Sequence, residues 1–382
     1  MSPPALTCIA PAFPTPWIPE QGAFLGNIAD VMSDEGIDVQ VVAPTSMARD
    51  LRERFRKGAQ KTTLNLDYSV VRPSLVELPL RLVGLNRVTR RINERLFRRA
   101  VERGLAACPR PVTVVYGHFW LGAYAAQRWC SARGIPYFVE LQESGIRDFL
   151  NPVGDPKELR ILREAKGIVC VSRDNERFLG EVGLASRTRV RYLPNGFDRR
   201  RVRPLERAEC RRALGLPPDG WIAAFAGSFI ERKGPLRVLA ALDQLRGVRG
   251  IFLGRGPQWP RGERVLHSGP VLNSEMPRWL SAADVFVLPS LAEGLANVTV
   301  EAMGCGLPLI VSDRPFNRDF LTEREAVFVD PQSVSSISGA LAAVLHDDAR
   351  RQTLGANALA RSADFTLQER VRRIREFVCG LL

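Results

Sequence analysis

Short, unbroken apolar runs recur along this 382-residue chain, each followed by a longer stretch of helical period. Ile222–Phe225 and Val285–Leu288 contain no polar residue at all. A strand with one wet face alternates polar and apolar residues, whereas a strand covered on both faces does not. Such runs therefore predict parallel strands between layers of helices. The first series is Leu6–Ala10, Ile37–Ala43, Tyr68–Arg72, Val112–Tyr116, Pro136–Leu141 and Ile168–Val171. The second is Trp221–Ala226, Gly250–Leu253, Val265–His267, Asp284–Leu288, Leu307–Val311 and Ala326–Val329. Two series in a chain too long for one ordinary core predict an α/β protein with two Rossmann-like, doubly wound parallel-sheet domains.

The turn-forming residues Pro194, Asn195 and Gly196 mark the boundary. Residues 1–194 are read as the first domain and 195–366 as the second. Residues 367–382 are read as a closing helix that packs back toward the first domain, with Val371, Ile374, Phe377 and Val378 at helical spacing. Ligands of open α/β sheets sit beyond the carboxyl ends of strands, at switch points. The loops that follow the strands are therefore where chemistry is expected.

Composition removes several classes. No apolar run approaches the ~20 residues that span a bilayer. Met1–Leu6 lacks the basic region and long apolar segment of a secretory signal, so a cytoplasmic protein is expected. Seven scattered cysteines with no C-x-x-C pair predict reduced, mostly buried thiols rather than disulfides or a zinc site. Three unpaired histidines argue against a His-based metal centre. The net charge of +13 points to an anionic partner, although only five of the 54 basic residues are Lys, an arginine bias that genome composition can also produce.

Two segments carry chemistry. Pro289-Ser290-Leu291-Ala292-Glu293-Gly294-Leu295-Ala296-Asn297-Val298 leads from an apolar strand into a helix, with Glu301, Ala302 and Met303 beyond. The first-turn amides of that helix, around Gly294, Leu295, Asn297 and Val298, form a ready phosphate site. If the residues between Glu293 and Glu301 are largely helical, both carboxylates fall on one side, each able to accept a pair of ring hydroxyls. Upstream, Phe225-Ala226-Gly227-Ser228-Phe229-Ile230-Glu231-Arg232-Lys233-Gly234 places Arg232 and Lys233 where another strand ends in a glycine turn.

The composite Pro-Ser…Glu-Gly-x-x-Asn…Glu-Ala-Met-x-Cys-Gly-x-Pro resembles the E-x7-E motif of glycosyltransferase family 4, the group 1 retaining glycosyltransferases. Phe252–Pro257, His267–Val271 and Trp279–Val285 extend the similarity. The resemblance implies a GT-B fold, two such domains facing across a cleft, with an N-terminal acceptor domain and a C-terminal nucleotide-sugar donor domain. It implies that Gly227 and Lys233 bind the donor diphosphate. Ser228 replaces the family's usual Arg, and Arg232 is the nearby cation that could compensate. Glu301 would hold the ribose and Glu293 the donor sugar. In the first domain Gly22 matches the second of the family's paired glycines, with Gln21 in place of the first. His118, at the end of a strand, matches the donor-facing histidine, and Glu143 follows another strand as a candidate for facing the acceptor. Lys233, Glu293 and His118 are thus the catalytic candidates. The absence of Asp-x-Asp implies that fixed cations and helix amides replace a divalent ion, with no metal and no cofactor beyond the donor.

The acceptor is expected to be a glycan or a lipid-linked molecule. Residues 80–104 mix Arg81, Arg87, Arg90, Arg91, Arg95, Arg98, Arg99 and Arg103 with Leu82, Leu85, Ile92, Leu96 and Phe97. Such a helix either lies on an anionic membrane, which would make the protein peripheral on the inner face, or presents solvated arginines over a core. Two other readings are a catalytically silent homologue acting as a binding subunit and a basic nucleic-acid-binding protein. The latter lacks a binding motif or stacking platform, so no nucleic-acid partner is expected.

Overall fold

The computed structural model describes residues 5–19, 21–56, 63–76, 86–142, 156–184 and 189–382. The chain divides into two compact units, Met1–Leu193 with Val371–Leu382, and Pro194–Arg370.

The strands of the first unit are β1 (Leu6–Ile9), β2 (Val39–Val42), β3 (Thr45–Ser46), β4 (Ser69–Val71), β5 (Ser74–Leu75), β6 (Val114–His118), β7 (Tyr137–Leu141), β8 (Gly167–Cys170) and β9 (Arg189–Tyr192). Seven of them form one sheet in the order β4-β2-β1-β6-β7-β8-β9, and β3 pairs separately with β5. Every pairing in the large sheet is parallel. Each residue of β1, β2, β6, β7 and β8 is buried, the two-sided cover that their unbroken apolar runs predict. Strand β9 is absent from the sequence reading. It is an edge strand whose Arg189 and Arg191 are exposed, so it carries no apolar run.

In the second unit β10 (Trp221–Ala226), β11 (Val248–Leu253), β12 (Val265–Gly269), β13 (Val285–Leu288), β14 (Leu309–Ser312) and β15 (Ala326–Val329) form a parallel sheet in the order β12-β11-β10-β13-β14-β15. Phe225, Phe252 and Phe286, all at 0 % exposure, are part of its core. Burying a side chain of this size contributes about 1.5–3 kcal/mol. Asp284 pins the entry of β13 beside β10: its carboxylate accepts the Ile222 N–H at 2.8 Å and pairs with Arg211 at 2.7 Å and Arg207 at 2.6 Å. A buried carboxylate is tolerated only with such partners.

The closing helix is Leu367–Cys379. Its residues through Arg370 belong to the second unit and those from Val371 to the first. There the Phe377 ring meets Phe138 edge-on, centroids 6.0 Å apart. Gly167 makes that approach possible, because a Cβ at this position would stand 2.8 Å from the Phe377 ring.

Candidate active site

The order of the second sheet explains why the two chemistry-bearing loops meet. From β10 the chain winds outward through β11 to β12, and from β13 it winds the other way through β14 to β15. β10 and β13 are neighbours, so the loops after them flank the switch point, where open α/β sheets leave a crevice. The first loop carries Gly227, Arg232 and Lys233, and the second carries Glu293.

Both cations converge on that carboxylate. Lys233 Nζ lies 2.5 Å from Glu293 Oε1, and the Arg232 guanidinium lies 3.3 Å from Oε2. Lys233 and Glu293 are 13 % and 9 % exposed, which shields the pair from solvent screening. Arg232 also donates to the Ala292 carbonyl, and the Leu291 N–H donates to the Arg232 carbonyl at 2.8 Å. Arg232 therefore points the same way as Lys233, and the pair outnumbers Glu293 two charges to one. Gly227 adjoins the lysine: a Cβ there would stand 3.7 Å from Lys233 Cδ.

Glu293 is not helical. The helix runs Asn297–Gly304, and its N-cap Ala296 is extended at φ −74 and ψ 112. The helical-phase argument for pairing Glu293 with Glu301 therefore fails. Glu293 is placed by its ion pairs, and Glu301 by its position in the helix. Ala296 offers no side-chain cap, so the amides of Asn297 and Val298 begin the helix uncapped. Gly294 and Leu295 lie in the turn just before it. Around this turn the buried polar atoms Ser290 Oγ, Asn297 Oδ1 and Thr299 Oγ1 lack a partner among the described residues, as expected where a polar ligand belongs. Desolvation pushes the Glu301 carboxyl up to about 7, so near neutrality it is divided between acid and carboxylate.

The same topological rule applies in the first unit, where β1 and β6 flank the switch point. Gly22, after β1, caps the helix Ala23–Asp34 at φ 59, and a Cβ on it would stand 2.3 Å from the Ala12 carbonyl oxygen. His118 ends β6 and is 2 % exposed. The next residue, Phe119, has φ 60 without being glycine. Strain of this kind, costing of order 1–3 kcal/mol, gathers at functional turns.

Two family models divide the chain between them. Residues 21–196 match the glycosyl transferase 4-like domain, and residues 206–361 match glycosyl transferases group 1. The chain belongs to the group 1 glycosyltransferases. Its relatives include a D-inositol 3-phosphate glycosyltransferase of Acidothermus cellulolyticus, 26% identical over 90% of this chain and 81% of that protein. The Bacillus subtilis protein TuaC, named for teichuronic acid biosynthesis, is 25% identical over 89% of this chain and 88% of its own. Sucrose-phosphate synthase of Thermosynechococcus elongatus has the same fold, with TM-score 0.77 and 20% identity over 99% of this chain and 98% of that one. Anabaena HepE, solved with UDP-glucose, superposes at TM-score 0.74 with 16% identity over 98% and 99% of the two chains.

In this glycosyltransferase Ser290 and Thr299 belong to the glutamate motif and Gly254 and Gly256 to the similar glycine turn, but the motifs alone give these four no role. For the two glycines the structure supplies the reason, since a Cβ on Gly254 or Gly256 would strike the Gly227 or Phe229 carbonyl oxygen, at 1.9 and 2.3 Å. Glu143, Arg81, Leu82 and Leu85 lie outside the described residues. The helix Asn86–Ala106 buries Phe97, Ala100, Val101 and Leu105 in the core and exposes Arg91, Arg95, Arg99 and Arg103. That is the arginine face over a core. Among the described residues no cluster of three or more His, Cys, Asp or Glu could hold a metal.

Proposed function

We propose that this group 1 glycosyltransferase binds a nucleotide diphosphate sugar beside β10 and β13. It transfers the sugar with retention of configuration, without a metal ion, to a glycan or lipid-linked acceptor. The observation that carries this reading is the convergence of Lys233 and Arg232 on Glu293 at the start of the helix Asn297–Gly304. A pyrophosphate entering there meets uncapped amides and a net positive pair, and it competes with Glu293 for the ammonium. The carboxylate so released is free to accept hydroxyls of the donor sugar, while Glu301 accepts those of the ribose. As the bond to the sugar breaks, negative charge grows on the diphosphate, where Lys233 and the amides stand ready. His118 is proposed to face the donor sugar. That HepE is solved with UDP-glucose supports a nucleotide sugar as the donor.

Thermal-shift titration with UDP-, GDP- and ADP-sugars between pH 6 and 8, followed by donor hydrolysis and NMR of the product anomer, tests the reading. One donor class raises Tm and is hydrolysed with retention. Its affinity rises by up to about tenfold as pH climbs through 7, because Glu301 must be ionised to accept two hydroxyls. Binding without hydrolysis or transfer would make the protein a silent binding subunit, and an inverted product would remove the retaining assignment.

An acceptor on an anionic lipid surface is supported by a different helix from the one the sequence suggested. Along Met47–Arg56, Met47, Leu51 and Phe55 recur every fourth residue at 58%, 54% and 79% exposure, beside exposed Arg49 and Arg52. The adjoining groove of about 750 Å³ is lined by Leu75, Leu96 and Trp129 and by Arg99, Arg103 and Arg133. The protein should float with phosphatidylglycerol vesicles but not with phosphatidylcholine alone, and Leu51→Asp/Phe55→Asp should abolish flotation. Wild type that ignores both vesicles removes this placement.

A further inference from the structure

Glu140 is a fully buried acid in the middle of β7, at 0 % exposure, and the reaction described above leaves it unused. Burying a carboxylate is costly unless hydrogen bonds and a partner offset the loss of water. The sheet supplies them from two neighbouring positions. In the parallel register of β6 and β7, Glu140 stands opposite His118. Its Oε2 accepts the Tyr116 hydroxyl at 2.5 Å, and its Oε1 accepts the Gln142 amide and lies 3.5 Å from His118 Nδ1. Tyr116 and His118, two residues apart on one strand, share a face, with ring centroids 5.2 Å apart. Cys8 on β1 is a further titratable group close enough to feel the charge of the acid. Its thiol is pushed up to about 12 by burial and by the Glu140 charge, so it stays protonated.

A neutral imidazole carries its proton on either nitrogen, and the partner of one nitrogen decides which. The backbone around His118 is closely held as well. A Cβ on Gly117 would stand 2.7 Å from the Ala123 nitrogen, and Phe119 is locked at φ 60. We propose that Glu140 is the positioning residue for His118: it holds the Nδ1 proton, fixes the ring's tautomer and rotation, and leaves Nε2 as the nitrogen offered to the donor sugar. The 3.5 Å separation suits a contact that tightens when ligand binds, as catalytic hydrogen bonds often do. The inference rests on His118 facing the sugar, and the test separates the two.

Full-length protein labelled with ¹⁵N-histidine, with UDP present, reports the His118 tautomer by its ring-nitrogen shifts, assigned with His118→Asn. Wild type should show Nδ1 protonated, Glu140→Leu should show the mixture of a free imidazole, and Glu140→Gln guards against loss of fold. Glu140→Gln should lower kcat by about 10–100-fold while leaving the donor KM within about twofold, the scale seen when a supporting partner is removed. In the His118→Asn background the same change should cost nothing further, since its effect passes through the ring. An unaltered tautomer in Glu140→Leu, or an equal loss with and without His118, overturns the proposal. Full activity of His118→Asn alone removes the sugar-facing role instead, and the tautomer measurement then still decides what Glu140 does.

Discussion

Lys233→Ala lowers kcat by at least ~10²-fold in the fraction that remains folded. The side chain sits at the end of a turn fixed by hydrogen bonds from the Lys233 and Gly234 amides to the Ile230 carbonyl, at 3.0 and 3.2 Å, so removing the ammonium leaves that backbone intact. What disappears is a fixed positive charge where the leaving diphosphate becomes more negative. One preorganised donor of this kind is worth about 3–4 kcal/mol in the transition state, and each 1.36 kcal/mol is tenfold in rate. Arg232 cannot fully substitute, because it is 40% exposed and its charge is correspondingly screened. Steady-state kinetics with the donor found by thermal shift provides the measurement, and near wild-type turnover would sink the assignment. Since fixed cations stand in for a divalent ion in this reading, wild-type rate is expected to persist in EDTA. A strict requirement for added magnesium would contradict it.

Gly254→Ala is expected to be the most damaging small substitution in the second unit. The Gly254 N–H donates to the Gly269 carbonyl at 2.9 Å, and the Gly227 N–H donates to the Leu253 carbonyl at 2.9 Å, so strand ends hold both segments. A methyl group on Gly254 would overlap the Gly227 carbonyl oxygen at 1.9 Å, and the obstacle is backbone rather than a side chain that can swing away. Overpacking costs about 1–3 kcal/mol where side chains yield, and more where they cannot. At about 2–4 °C per kcal/mol for a domain of this size, the midpoint should fall by roughly 6–12 °C. Donor binding should weaken with it, because the displaced turn leads to Lys233. Gly339→Ala is the internal contrast: Gly339 lies within the helix Val334–Leu345 with nothing within 4 Å of a new Cβ. There the exchange should stabilise by up to about 1 kcal/mol through helix propensity. Equal midpoints for the two variants would refute the steric account.

Glu140 shows how a residue can be visible yet unread. It is the one charged residue in Tyr137-Phe138-Val139-Glu140-Leu141, and an acid inside a run buried on both faces must have a partner. The sequence could have flagged it, but it could not name His118 or Tyr116. Likewise Glu293, Glu301 and Lys233 were legible as a motif, whereas the helical relation assumed between the two glutamates was not the one the chain adopts.

Two doubly wound sheets, most of their strands and the loops that carry the chemistry were determined by the sequence alone. Patterns of period 2 or 3.6, or unbroken apolar runs, report how each segment meets water, and that is a local property. Trp221–Ala226 appears with the bounds its apolar run predicts, while Arg189–Tyr192 escaped because an edge strand need not exclude solvent. Only the tertiary structure decided that Lys233 and Arg232 share Glu293, that Gly254 must have no side chain, and that Glu140 faces His118. Each of these depends on side-chain direction or backbone closeness between loops or strands far apart in the chain, and no local pattern encodes a distance across a sheet.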